Sequence, residues 1–138
     1  MARFSAEERQ TIQDYERPTL ALVKELTAGM RRGGRLMVQL QEMQDDAAWR
    51  EQMIAECRSW RTLLNALPGE PPAVYAAAHA RILRWAAAVA EAGDDYAAAI
   101  EERDDQRLVA ASRKMIETPA LYLEVNRAVR EAVQRMRV

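Results

Sequence analysis

The chain has 138 residues, the length of one domain (1–138), with a net charge of -1 and 49% hydrophobic residues. That balance is not the composition of a disordered tail, and one cysteine cannot build an intramolecular disulfide framework. No apolar run approaches the roughly 18 residues that suggest a membrane span. Alanine occurs 26 times, and 18 of the 20 basic residues are arginine. Both are strong helix formers, and few β-branched runs are present to make strands.

Taken in chain order, Ser5-Ala6-Glu7-Glu8 reads as a capping box, in which the serine oxygen accepts from the amide three residues on and Glu8 reaches back. Ile12, Tyr15, Thr19, Leu22 and Leu26 follow at a 3-4 spacing that carries through Pro18, so a kink there is as fitting as a break. The glycines around Met30-Arg31-Arg32-Gly33-Gly34 predict a stop. A short extra helical piece, Leu36 to Met43, is expected next, within residues 35–44.

Asp45-Asp46 predicts the cap of a helix with the stripe Trp49, Met53, Cys57, Trp60, Leu64 and Leu67. Asn65 and Pro68 end it, and Pro72 suits the first position of the following helix. That helix has the cleanest pattern: Tyr75, Ala78, Ile82, Trp85, Val89, Ala92, Tyr96 and Ala99. The register survives Gly93 and predicts one helix ending near Arg103, with alanines that let a neighbour approach closely. Asp104-Asp105 caps the last helix, whose stripe runs from Leu108, Ala111 and Met115 to Tyr122, Val125, Val129, Ala132 and Met136, with a kink expected at Thr118-Pro119. The fold class is therefore all-α, an antiparallel up-down four-helix bundle.

Catalytic and cofactor chemistry finds little footing. A di-iron bundle needs two Glu-x-x-His motifs, and the only histidine, His79, has Ala76 three residues before it. The Cys-x-x-Cys-His of a covalent haem is absent as well. Cys57 lies on an apolar stripe, where a thiol behaves as a small hydrophobe. No cofactor, metal site or catalytic residue is expected, and His79 is read as a polar group at the edge of the core or of a pocket. A cofactor or metal protein centred on His79 is the alternative.

Charge is unevenly placed. Residues 91–105 hold Glu91, Asp94, Asp95, Glu101, Glu102, Asp104 and Asp105 against Arg103, which reads as a solvated acidic corner because no calcium-loop pattern accompanies it. Arg31, Arg32 and Arg35 flank glycines, so guanidiniums and free backbone amides together suit an anion or a partner. Arg127, Arg130, Arg135 and Arg137 form a second basic group on the last helix. A pI of about 5.9 with no reading motif argues against nucleic acid. The aromatics Trp49, Trp60, Trp85, Tyr15, Tyr75, Tyr96 and Tyr122 all fall on core stripes, and alanines opposite large rings leave room for a cavity.

Trp60 and Leu64, the loop from Pro68 to Pro72, Tyr75 with His79 one turn later, Ala99-Ile100, and Asp104-Asp105 before Leu108 and Ala111 resemble a pattern in small bacterial helical-bundle proteins of unknown function, many of them exported lipoproteins. The resemblance covers about 40% of the chain, from Trp60 to Met115. It implies a bundle and brings no catalytic residues. The chain departs from that pattern in having no lipobox cysteine and no leader. The segment Met1 to Glu8 has no apolar stretch, so the expectation is a cytoplasmic protein, or an exported one if a leader has been removed. The functional expectation is a non-enzymatic bundle acting through protein–protein contact, with self-association as a homodimer. The alternative is a binder or sensor of a small apolar ligand held between helices.

Overall fold

The computed structural model describes residues 4–137; Met1, Ala2 and Arg3, at the head of the segment read for a leader, and Val138 lie outside the described residues. Five α-helices follow in order: α1 (Ala6–Val38), α2 (Leu40–Met43), α3 (Ala47–Asn65), α4 (Ala76–Glu102) and α5 (Asp105–Arg137), with a 3-10 turn at Ala73–Tyr75. No strand occurs among the described residues. None of these helices is long and apolar enough to cross a membrane.

Local chemistry sets most of the boundaries. Ser5 and Glu8 form the reciprocal capping box at the start of α1. The Asp46 carboxylate accepts from the Trp49 amide at 2.8 Å and begins α3. Arg103 ends α4 in the left-handed conformation (φ 52°), which turns the chain so that the Asp104 amide reaches back to Ala99. Asp104 then accepts from the amides of Gln106 and Arg107 and starts α5.

Three expectations need correction. The glycines do not stop α1, which runs unbroken through Gly29, Gly33 and Gly34 to Val38. Leu36 therefore belongs to α1, and the short extra helix is only Leu40–Met43; Gln39 links the two, its amide bonding Leu36 and its carbonyl accepting from Glu42 and Met43. Pro72 precedes the 3-10 turn instead of opening the helix, with the extended ψ of 154° that a capping residue adopts. Pro18 and Pro119 lie inside α1 and α5 without breaking either. In α5 the Met115 carbonyl that Pro119 leaves without an amide accepts from the Thr118 hydroxyl at 2.7 Å, and in α1 the Asp14 carbonyl beneath the exposed Pro18 has access to water.

Neighbouring helices are antiparallel, as the pairs across each seam show. Leu36 meets Trp49 while Arg32 meets Glu56 between α1 and α3. Cys57 meets Gly93 and Arg58 meets Glu101 between α3 and α4. Tyr96 meets Ser112 and Arg81 meets Glu124 between α4 and α5. The sequence stripe of α4 is buried at every position from Tyr75 to Ala99, and α4 stands between α3 and α5 at the centre of the bundle. Most of the core forms one cluster around Trp49, Trp60 and Trp85, and a smaller one closes the end of the bundle around Ile12, Tyr15, Tyr75, Ala78 and Ala132.

Candidate functional site: a cleft between the first and last helices

In a closed four-helix bundle the first and last helices pack along their length. Here α1 rests on α3, and α5 rests on α4. Helices α1 and α5 share the small end cluster, where Ile12 and Tyr15 come together with Ala132. Beyond that end the seam opens into a cavity of about 780 Å³. Met53, Trp60, Trp85 and Tyr96 form its buried floor, while Met30 and Met37 on α1 face Met115 and Tyr122 on α5. A second cavity of about 460 Å³ continues along the same seam and shares Thr27, Arg31 and Tyr122 with the first.

Glycine shapes this site. A Cβ on Gly29 would lie 2.9 Å from Trp60 Nε1, and one on Gly33 would lie 2.7 Å from Trp60 Cζ2. From the other side, a Cβ on Gly93 of α4 would stand 2.7 Å from Trp60 Cε3 and overlap the backbone carbonyl of Cys57. Three glycines thus clamp one indole. Gly34 differs: it lines the cavity and has nothing within 4 Å of its Cβ position. The helix is bare there, and the cavity has its opening partly for that reason.

The rings expected to line a pocket divide unevenly. Trp60, Trp85, Tyr96 and Tyr122 line the larger cavity, with Trp85 and Tyr122 in a tilted contact at 5.1 Å. No alanine lines it, so the space does not come from alanines opposite rings. It comes from glycines and from four flexible methionines, a side chain that adapts to varied apolar shapes.

The three arginines read as one anion site diverge. Arg32 turns to Glu25 and Glu56, at 3.0 and 3.1 Å, and this pairing raises its pKa. Arg35 is exposed and Arg31 lines the cleft. The adjoining glycines are helical, so their amides are bonded within α1 and offer no cradle for an anion. The basic residues Arg127, Arg130, Arg135 and Arg137 stand exposed on α5.

His79 does not line the cleft. It is buried in the end cluster, where its Nδ1 pairs with the Tyr15 hydroxyl at 2.8 Å. Burial lowers its pKa below the usual 6.5. The Tyr15 and Tyr75 rings pack at 5.2 Å, the Tyr75 hydroxyl donates to Glu16, and burial raises both phenol pKa values. Cys57 is wholly buried, and its thiol is pushed up to about 12 by desolvation with help from Glu56. Such a thiol is inert at neutral pH.

The acidic segment is paired across helices. Asp94 takes Arg61 of α3, Asp95 takes Lys114 of α5, and Glu101 takes Arg58 of α3, each at 2.6 Å. Among the described residues, no group of three or more His, Cys, Asp or Glu side chains is placed to hold a metal ion. Comparison with protein-family models, curated proteins and solved structures finds no match for this chain.

Proposed function

We propose that this bundle binds a small apolar molecule in the cleft between α1 and α5 and catalyses no reaction on it. The observation that carries this reading is the cavity of about 780 Å³ floored by Trp60 and Trp85. Its size lies inside the roughly 300–1,000 Å³ range of ligand sites, and its lining has the mainly apolar and aromatic character of such sites. The polar side chains there are Thr27, Arg31, Tyr96, Thr118 and Tyr122. No His, Cys, Asp or Glu lines the cavity, which leaves it without the usual general bases and without a thiol nucleophile.

The test is titration with the neutral fluorescent probe N-phenyl-1-naphthylamine, followed through probe emission and tryptophan quenching. Wild type should bind it saturably, and Gly34→Leu should abolish binding while keeping the helical content, since that side chain enters open space. Binding that survives Gly34→Leu, or no binding to wild type, rejects the cleft as the site.

A second reading, contact with a protein partner or a second copy, is favoured by α5. Val109, Ile116 and Leu123 stand seven residues apart and are 51%, 76% and 66% exposed, a stripe on one side of the helix. Sedimentation over a concentration series tests self-association, and a monomer at every concentration rejects the homodimer.

A further inference from the structure

The charge around the cleft says what kind of apolar molecule suits it. Lys24, Thr27 and Arg31 follow one another at a 3-4 spacing on α1, so they share a face of that helix. All three line the second cavity, and Arg31 and Thr27 also line the larger one. Neither cavity has an acidic residue in its lining. Elsewhere among the described residues, eight basic residues, Arg32, Arg61 and Lys114 among them, are engaged by a carboxylate, and those in no such pair, such as Arg35, Arg113 and Arg130, line neither cavity. No such pair involves Lys24 or Arg31 among the described residues. Two cations therefore border an apolar cleft that contains nothing to neutralise them.

We infer that the occupant is a single-chain anionic amphiphile, with its chain over Trp60 and Trp85 and its charged head at Arg31 and Lys24. This rests on the cleft being the binding site. A guanidinium presents forked donors that suit a carboxylate, and the ammonium two turns away adds positive potential along the same wall. A neutral apolar ligand would fill the floor equally well and leave both cations unused. A cationic head would be repelled.

Three probes with the same chain separate the alternatives: dodecanoate and dodecyltrimethylammonium, each below its micelle concentration, and dodecanol below its solubility limit, by calorimetry or by displacement of the naphthylamine. Wild type should bind dodecanoate about tenfold more tightly than the ammonium probe, as a charge-assisted contact at a partly solvated rim implies. The double variant Lys24→Gln/Arg31→Gln should weaken dodecanoate by about fivefold or more while changing dodecanol less than about twofold. Both changed residues are exposed, so the fold should tolerate them. If dodecanol binds and the double variant leaves dodecanoate unchanged, the anionic head is refuted and the apolar cleft stands. If none of the probes binds, or all bind equally to Gly34→Leu, the cleft itself is refuted and the inference falls with it.

Discussion

Burial of His79 against the Tyr15 hydroxyl has a consequence for stability that can be followed with pH. The folded protein holds the imidazole pKa below 6.5, whereas the unfolded chain restores the ordinary value. Between those two values the unfolded state binds more protons, so stability rises with pH through that window and is lost as pH falls from about 6.5 towards the folded pKa. The slope from one such group is at most about 1.4 kcal/mol per pH unit. Urea denaturation of wild type and His79→Asn at pH 5 and pH 7.5 isolates it, since the amide can still accept from Tyr15 but cannot titrate. The variant should lose less stability between the two pH values than wild type. Equal losses would show that the acid sensitivity arises from other groups.

At the scale of the helix, glycine has opposite meanings at two positions that look alike in sequence. Gly93 lies where α4 crosses α3, and a methyl group there would overlap the Cys57 carbonyl, which is backbone and cannot turn aside. Gly34 has open space around it. Alanine is worth up to about 1 kcal/mol over glycine inside a helix, while overpacking costs about 1–3 kcal/mol. Gly34→Ala should therefore raise stability by a few tenths to about 1 kcal/mol, and Gly93→Ala should lower it by about 1–2 kcal/mol despite the same propensity gain. Denaturant midpoints would check both; the same sign at the two positions would contradict this packing.

This pair also marks what can be read from sequence alone. The caps at Ser5 and Asp46 and the buried stripe from Tyr75 to Ala99 are legible because each depends on residues within a few turns. Gly33-Gly34 is misread as a stop because local propensity does favour one there. Trp60, distant in sequence, packs against Gly29 and Gly33, and the helix runs on to Val38. Arginine misleads for a similar reason. Neighbours in sequence at Arg31, Arg32 and Arg35 point to different places once they lie on a helix, and only Arg31 reaches the cleft. The useful sequence signal was a four-residue spacing of Gly29 and Gly33 opposite a helix carrying tryptophan.

For the whole molecule, the open seam makes the first helix unequally supported. Its N-terminal half is fastened to both α4 and α5 through the end cluster, by Tyr15 and His79 and by Ile12 beside Ala132. Residues 27–38 have α3 behind them, with Trp60 in the glycine groove and the Trp49 indole donating to the Leu36 carbonyl at 3.1 Å, but face the cavity on the other side. The ion pairs joining α3, α4 and α5 do not compensate for this, since largely exposed pairs contribute about 0–1 kcal/mol each. Local opening should therefore be easiest in this stretch of α1. A ligand that binds only the folded cleft stabilises by RT ln(1 + [L]/Kd), about 2.7 kcal/mol at one hundred times Kd. Hydrogen exchange read by mass spectrometry should show residues 27–38 exchanging faster than residues 82–100 of α4. Saturating dodecanol should slow exchange at 27–38 and at 115–122 of α5, the two walls it would touch, before other surface segments respond. Protection spread evenly over the chain would mean that the ligand acts on global unfolding alone, and that the two helices already form a rigid wall without it.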